Sequence, residues 1–282
     1  MLKKIMIIGL FLAACSWTGN ILYYNSQKLD KPIMLEHYYE FAKEYDTNFR
    51  LHYITDLRET NDIVMVDFPE LEQRGIFIHF DQFFEQGNKY RHHQIKTLNL
   101  NTWDNPFKGI DGDIVINEMR AHLRNGETII YPIGEIVWRD SSEVPFESTS
   151  GESSSDGTGY ASFSVKEGSF EITDVNIRGG DRLGNFLIKI NNQPYEVRGR
   201  SNLQEQKGNT KHFTSNHLYV DYSLTFEESD PNRWNFYNLM PTIVGTKENG
   251  NAFELDIYVS QYAYFSEDDL KNYLSAKKKG KR

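Results

Sequence analysis

A strict alternation of apolar and polar residues late in the chain limits its fold more than any other feature. The apolar residues at every second position are Leu218, Val220, Tyr222, Leu224 and Phe226. Successive side chains of a β-strand point to opposite faces of the sheet, so this spacing predicts a strand with one buried and one solvated face. Half-buried strands of this kind are typical of antiparallel sheets.

The same period and a hairpin signal extend the prediction to other parts of the chain. Alternation recurs over residues 253–259. Asn125 and Gly126 lie between apolar runs at 114–123 and 128–131, and both tolerate the positive φ angles of a type I′ turn. The sequence therefore predicts a mainly β fold of antiparallel, sandwich-like modules, because such sheets must pack their apolar faces together.

Composition divides the chain into five parts. Residues 1–24 form an apolar N-terminal segment, 25–140 a first β module, 141–159 a linker or long loop, 160–265 a second β module, and 266–282 a short helix with a basic tail. The linker is predicted because serine, glycine and acidic residues offer little to bury. One continuous large sandwich is the alternative to two modules.

The N-terminal segment has the layout of a secretory signal. Lys3 and Lys4 precede the uncharged run Ile5–Ala14, and Cys15 follows directly. A basic start before an apolar run of about 7–15 residues is what an export signal requires. The segment therefore predicts that the rest of the chain leaves the cytoplasm.

The end of the apolar run resembles a bacterial lipobox, the site at which lipoprotein precursors are lipidated and cut. The resembling residues are Leu12-Ala13-Ala14-Cys15. The resemblance implies that Cys15 becomes the first mature residue and carries a diacylglyceryl group. Two acyl chains would then hold the protein in membrane lipid, because each buried CH₂ contributes roughly 0.8 kcal/mol.

An uncleaved membrane-spanning helix is the competing interpretation. The stretch Ile5–Tyr24 would be about 30 Å long as a helix, which matches the hydrocarbon thickness of a bilayer. Tyr23 and Tyr24 would then lie at the outer interface, where aromatic rings collect. Both interpretations keep Lys3 and Lys4 in the cytoplasm and place residues beyond about 25 outside.

The net charge and the cysteine content limit which partners and which cellular compartment we expect. The net charge is −9, so a nucleic acid partner is not expected, because phosphate binding requires a basic surface. Cys15 is the only cysteine, and the remaining chain cannot form an internal disulfide. A large exported domain without disulfides fits a Gram-positive envelope. We therefore expect the chain at the extracytoplasmic face of the cell membrane.

The C-terminal residues predict a capped helix and a cationic end. Ser266 is a good N-cap, and the acidic residues 267–269 suit the first turn of a helix. The tail Lys277–Arg282 is strongly basic on an acidic protein. Either it is simply solvated, or it attracts anionic lipid or an anionic envelope polymer, at about 1 kcal/mol per cation near a charged surface.

No motif in the sequence assigns a reaction, and no catalytic, cofactor-binding or metal-ligating residue is predicted. Walker loops, His-Glu-x-x-His and Gly-x-Ser-x-Gly are absent. Two hypotheses remain: a non-enzymatic binding or structural component of the cell envelope, or a cell-surface hydrolase that cleaves glycans with a carboxylate pair. A cleft with two facing carboxylates about 5–10 Å apart would favour the hydrolase. Protein partners cannot be derived from the sequence.

Overall fold

The fold is mainly β, with antiparallel sheets between an N-terminal helix and a short C-terminal helix, as the alternation predicts. It was obtained as a computed structural model that describes residues 2–44, 48–58, 61–81, 86–102, 106–142, 146–164, 169–179, 182–195, 197–199, 210–215 and 217–279. The helices are α1 (Leu2–Gln27), α2 (Pro69–Glu72) and α3 (Glu267–Lys279), with a 3₁₀ turn at Pro231–Trp234.

Two sheets enclose the first hydrophobic core. Sheet A contains β1 (Ile33–Met34), β3 (Asn48–Asp56), β5 (His79–Asp81), β6 (Gln86–Lys89) and β7 (His93–Asn101). Sheet B contains β2 (His37–Ala42), β4 (Ile63–Asp67), β8 (Ile114–Leu123), β9 (Thr128–Arg139), β18 (Phe236–Leu239) and β21 (Val259–Gln261). The strand orders are β1-β3-β7-β5, with β6 also on β7, and β21-β18-β2-β9-β8-β4. Helices α2 and α3 add apolar side chains to this core.

Two further sheets enclose the second core. Sheet C contains β10 (Glu147–Ser153), β11 (Thr158–Ser164), β13 (Asn185–Ile190), β14 (Gln193–Tyr195) and β17 (His217–Thr225), in the order β10-β11-β17-β13-β14. Sheet D contains β12 (Phe170–Ile177), β15 (Arg198–Gly199), β16 (Lys211–Phe213), β19 (Thr242–Lys247) and β20 (Ala252–Asp256), in the order β15-β12-β19-β20, with β16 on β12. Strand β17 is the alternating segment, and its apolar side is buried as predicted.

Sheet B connects the two halves of the chain. Its central strand β2 pairs in parallel with β9 on one side and with β18 on the other. Side chains alternate along these strands, so Phe236 faces the first core while Tyr237 and Leu239 face the second. The predicted module 160–265 is therefore not self-contained, because it supplies two strands to a sheet of the first half.

The predicted linker 141–159 is wrong over most of its described length. Residues 147–153 form the edge strand β10, which pairs with 158–164. Every residue of β10 is exposed, so the composition correctly indicates solvent contact. Main-chain hydrogen bonds, which do not require apolar side chains, hold the strand in place.

The hairpin at residues 114–139 is confirmed, but its turn type is not. Gly126 has φ +87°, whereas Asn125 keeps a negative φ, so the turn is not type I′. The Leu123 N–H donates to the Glu127 carbonyl (2.8 Å), and the Gly126 N–H donates to the Leu123 carbonyl (2.9 Å). This is a three-residue loop with glycine in the left-handed position.

The N-terminal helix and the predicted N-cap are both present. The side chains of residues 3–26 in α1 are exposed, and the stretch Lys3–Gln27 is long and apolar enough for a signal or a membrane anchor. At the other end of the chain, the Ser266 hydroxyl accepts from the Asp269 N–H, and the Asp269 carboxylate accepts from the Ser266 N–H (both 3.2 Å). This reciprocal pair is a capping box, and the Ser266 hydrogen bonds lower the pKa of Asp269.

Candidate functional site

An open cleft of about 480 Å³ lies where sheets A and B meet. Its volume falls within the range of about 300–1,000 Å³ that is usual for small-ligand sites. The lining residues come from β2, β3, β7, β18 and the residue after β21: Tyr39, Phe41, Asn48, Phe49, Arg50, Asn99, Leu100, Asn101, Asn238 and Tyr262. Because these segments are distant in sequence, only the fold brings them together.

One wall of the cleft follows from the two-residue period of sheet A. Asn48 pairs with Asn101, and Arg50 pairs with Asn99, across β3 and β7. These polar residues share one face, while Phe49 is buried on the other side of β3. A row of amides with one guanidinium therefore lines this wall.

The opposite wall comes from sheet B and combines aromatic and amide groups. Tyr39 and Asn238 are neighbours in the parallel pairing of β2 with β18. Burial raises the pKa of Tyr39 well above its usual range, and nearby Tyr262 adds to the shift, so the Tyr39 phenol stays neutral. Tyr262 is 44 % exposed, and its ring packs at 5.9 Å from Phe236.

Two histidines lie beside Phe236, next to Tyr262. The ring of His52 stacks on Phe236 with centroids 4.1 Å apart, and the ring of His37 lies beside both, 5.2 Å from Phe236 and 5.6 Å from His52. The His52 backbone N–H donates to His37 Nε2 (2.8 Å), so His37 closes the edge of β3 against sheet B. Although His52 lies on the polar face of β3, this stacking largely covers its ring.

Burial keeps both imidazoles neutral. It lowers the pKa of His37 well below its usual range, with the nearby His52 adding to the shift. Burial, followed by the charge of Arg50, lowers the pKa of His52 to about 4. Neutral rings in an aromatic stack give the cleft a rigid, uncharged support.

The described part of the cleft lining contains no carboxylate, which a retaining or inverting glycosidase requires in pairs. A neighbouring cleft of about 350 Å³ contains Asp156 and Asp269. Asp156 accepts from the Thr158 hydroxyl (2.7 Å), and Asp269 caps α3 and accepts from Arg233 (2.8 Å). Hydrogen bonds from Thr158 and Ser266, respectively, lower the pKa of each aspartate, so neither is a general acid at neutral pH.

The predicted lipidation residue lies on the exposed surface of α1. Cys15 is solvent-accessible near the middle of the helix. The helix end is fixed to sheet A, because His93 Nε2 contacts the Gln27 carbonyl (2.9 Å) and the ring of Tyr23 meets His92 edge-on at 5.6 Å. The Leu29 N–H donates to the Asp56 carboxylate (3.2 Å), which fixes the chain just after the helix.

The described lysines of the C-terminal tail lie beside this same helix end. Lys278 Nζ donates to the Ser26 carbonyl (3.4 Å), and Lys277 Nζ lies 3.4 Å from a Glu36 carboxylate oxygen. Residues 280–282 of the predicted cationic tail lie outside the described residues. The fold thus brings the cationic end of α3 to the point where α1 joins the body, which spacing alone could not show.

No family model matches the sequence, and no curated protein sequence is significantly similar to it. Across the described residues, no three histidine, cysteine or acidic side chains converge as they would around a metal ion. The cleft residues that sequence reasoning missed had one usable signal, the polar residues at every second position of β3 and β7. Nothing in the sequence showed that Asn238 and Tyr262 would face them.

Proposed function

We propose that the chain is a non-enzymatic binding component of a bacterial cell envelope, held at the extracytoplasmic face of the membrane by its N-terminal segment. The observation that carries the proposal is the free apolar helix. Along α1 the apolar side chains are exposed, with Leu10 at 77 % and Leu22 at 65 %. So large an apolar surface on a soluble body requires a membrane or a partner to cover it.

The length of the helix supports anchoring. Lys3–Gln27 has 25 residues and is therefore about 37 Å long, enough to cross about 30 Å of hydrocarbon with some tilt. If the chain is instead cut and lipidated at Cys15, the remaining Ser16–Gln27 forms a stalk about 18 Å long between the lipid and the body. Membrane lipid is the first partner in either case.

Intact mass measurement on the detergent-extracted protein distinguishes these two forms. A mature chain that begins at Cys15 with a lipid adduct supports the lipoprotein, and Cys15→Ser then abolishes processing. A chain that begins at Met1 without an adduct supports the spanning helix, and Cys15→Ser then lowers the mass only by the exchange of one sulfur for one oxygen and leaves anchoring unchanged. Recovery of the protein in the soluble fraction, without lipid or helix, would overturn the anchoring proposal.

The predicted topology is tested on intact cells. Residues beyond about 25 should be digested by protease added to protoplasts of a Gram-positive host, because Lys3 and Lys4 hold the N-terminus inside. Protection of the body until the membrane is permeabilised would overturn the extracytoplasmic assignment. A cytoplasmic protein of the host that remains protected is the control for cell integrity.

The cationic end of α3 is proposed to contact anionic lipid or an anionic envelope polymer close to the anchor. Lys278 lies beside Ser26 and Lys277 beside Glu36, close to the point where α1 joins the body. Cations this close to an anionic surface are attracted at about 1 kcal/mol each. Weaker sedimentation of Lys277→Gln/Lys278→Gln with phosphatidylglycerol vesicles, against unchanged sedimentation with neutral vesicles, tests this contact.

Binding rather than hydrolysis is proposed because the described cleft lining offers amides and aromatic rings in place of an acid pair. A hydrolase would need one carboxyl group with a raised pKa and a second carboxylate facing it. The experiment is incubation of the purified full-length chain with cell-wall polysaccharide, followed by a reducing-end assay. Release of reducing ends above that of a boiled sample would overturn the non-enzymatic assignment.

A further inference from the structure

Two clefts on the body share Tyr262 among their described lining residues. Tyr262 lines both the cleft between sheets A and B and the neighbouring cleft that contains Trp234 and Tyr264. The clefts have volumes of about 480 and 350 Å³. The two clefts therefore adjoin at Tyr262, and we call them together the groove; two adjoining clefts suit an extended ligand better than a compact one.

Tyrosine rings are exposed where the two clefts join. Tyr262 is 44 % exposed and Tyr264 is 78 % exposed. Phe236 supports one side of Tyr262, which fixes the ring and leaves surface available to a ligand. A tyrosine combines an apolar face with a polar hydroxyl, and a sugar ring likewise combines an apolar C–H face with hydroxyl groups.

The polar groups of the first cleft are mostly amides. Asn48, Asn99, Asn101 and Asn238 lie on three strands around it. An amide offers both a hydrogen-bond donor and an acceptor, and so does a sugar hydroxyl. Pairs of this kind can satisfy each hydroxyl without charge, whatever its orientation.

The described lining of the groove is close to neutral although the protein carries a net charge of −9. Among the described lining residues of the first cleft, Arg50 is the one that carries a charge. In the second cleft, Arg233 is paired with Asp269 at 2.8 Å and also lies over the Trp234 ring. An anionic polymer would find little net positive charge here, whereas a neutral polyhydroxylated chain would meet amides and aromatic faces.

We infer that this groove binds a neutral oligosaccharide chain, with one part in the amide-lined cleft and a second part beyond Tyr262 against Tyr264. The inference rests on the proposed binding function and names the ligand class of that site. Asparagine side chains select the hydroxyl groups, and Tyr262 supports the sugar ring at the junction. Arg50 adds one charged hydrogen-bond donor to the wall.

The test measures binding of defined oligosaccharides to the full-length detergent-solubilised chain by calorimetry. The probes are disaccharides and hexasaccharides of β-1,4-linked N-acetylglucosamine, β-1,4-linked glucose and α-1,4-linked glucose. Polyglycerol phosphate and an alanine-rich decapeptide serve as comparison ligands. We expect at least one hexasaccharide to bind more tightly than its disaccharide, because only the longer chain reaches the second cleft.

Three variants locate the ligand. Tyr262→Ala should weaken binding of both chain lengths about ten-fold, as expected for loss of one aromatic contact. Tyr264→Ala should weaken binding of the hexasaccharide but not of the disaccharide. Tyr258→Ala is the matched control, since Tyr258 is also 44 % exposed but is not among the residues that line either cleft. Unchanged circular dichroism and melting temperature establish that each variant is folded.

Several outcomes would overturn the inference. Absence of binding by all three hexasaccharides, tighter binding of polyglycerol phosphate, or tighter binding of the decapeptide would each exclude a neutral oligosaccharide ligand. Equal losses in Tyr262→Ala and Tyr258→Ala would exclude the groove as its site. Anchoring, topology and the reducing-end assay are measured independently of these probes. A failure to bind oligosaccharide would therefore exclude this ligand class without deciding the proposed envelope function.

Discussion

The two cores of the body differ in what they bury. The core between sheets A and B includes ionisable residues such as Lys43 and Asp62 among its buried side chains, and Arg139 is buried between sheets B and D. In the described strands of sheets C and D, the buried side chains are apolar or aromatic apart from Thr242. The half that carries the anchor and the cleft is therefore also the half that encloses charge.

The difference indicates that the two halves are stabilised in different ways. Buried ions cost several kcal/mol unless they are paired, and each one here has a partner. Lys43 Nζ donates to the Asp140 carboxylate (2.9 Å) and to a carbonyl, while Asp62 accepts from Tyr53 (2.6 Å) and from Lys96. Such pairs specify one geometry, whereas the apolar core of sheets C and D stabilises by burial alone. Four variants or conditions test this contrast.

The largest effect is expected from Arg139→Met. The Arg139 guanidinium contacts Glu40 (3.3 Å) and Asp256 (2.8 Å), and so links sheet B to sheet D. Methionine would leave two carboxylates covered without a cation, and we expect about 3–5 kcal/mol less free energy of unfolding by urea titration. Adding Glu40→Gln and Asp256→Asn should recover part of the loss. A single-variant loss below about 1 kcal/mol would show that the network is not a structural link.

The corresponding test in the apolar half is Leu255→Ala. Leu255 is fully buried in sheet D, so the cavity should cost about 2–5 kcal/mol. Oligosaccharide binding should remain unchanged in the folded fraction, because this core only supports the groove. The contrast between the halves fails if Leu255→Ala weakens binding as strongly as Tyr262→Ala does.

The pH dependence of the free energy of unfolding measures how the buried histidines affect stability. His37 and His52 have lowered pKa values in the folded state, about 4 for His52, against about 6.5 when unfolded. Their contribution is fully present above pH 6.5 and is lost as the pH falls towards 4, because the unfolded chain binds protons that the folded chain does not. Each histidine therefore removes up to about 1.4 kcal/mol per pH unit in this window.

Urea midpoints between pH 7 and pH 4.5 check this slope. His37→Gln, which retains an acceptor near the His52 N–H, should give a shallower dependence than the unmodified chain. His212→Gln is the matched control, since the side chain of His212 is 81 % exposed. Equal slopes in all three proteins would contradict the assignment.

The smallest effect is expected from the cap of α3. Ser266→Ala removes the hydroxyl that accepts from the Asp269 N–H and should cost about 1 kcal/mol. Ser275→Ala in the same helix should be neutral or slightly stabilising, because alanine is the better helix former and Ser275 only bonds back to the Lys271 carbonyl. If Ser266→Ala and Ser275→Ala change the melting temperature equally, the cap contributes nothing to stability.

Local features of the fold could be predicted from the sequence because local chemistry determines them. The period-2 pattern predicts β17, and the Ser266 cap predicts the start of α3. Strand β10 could not be predicted from composition, since its exposed serines contribute no burial and its stability comes from pairing with β11. Pairing depends on where the partner strand lies, which a local pattern does not encode.

The candidate site could not be predicted from the sequence, because only long-range contacts bring its residues together. Arg50, Asn101, Asn238 and Tyr262 come from four separate strands or strand ends. Each looks like an ordinary surface residue within its own segment. Only the meeting of sheets A and B gives them a common cleft, so no motif of fixed spacing exists to be recognised.

The parallel pairing of β2 with β18 has a consequence for the order in which the protein folds. His37–Ala42 emerges from the ribosome early, whereas its partner Phe236–Leu239 emerges only after residues 43–235 have been made. Contacts so far apart along the chain form slowly, and until they form one edge of β2 offers unpaired main-chain groups to other molecules. Sheet B therefore cannot be completed before β18 and β21 have been made, and until residue 239 arrives the open edge of β2 is protected only by molecules that bind the nascent chain.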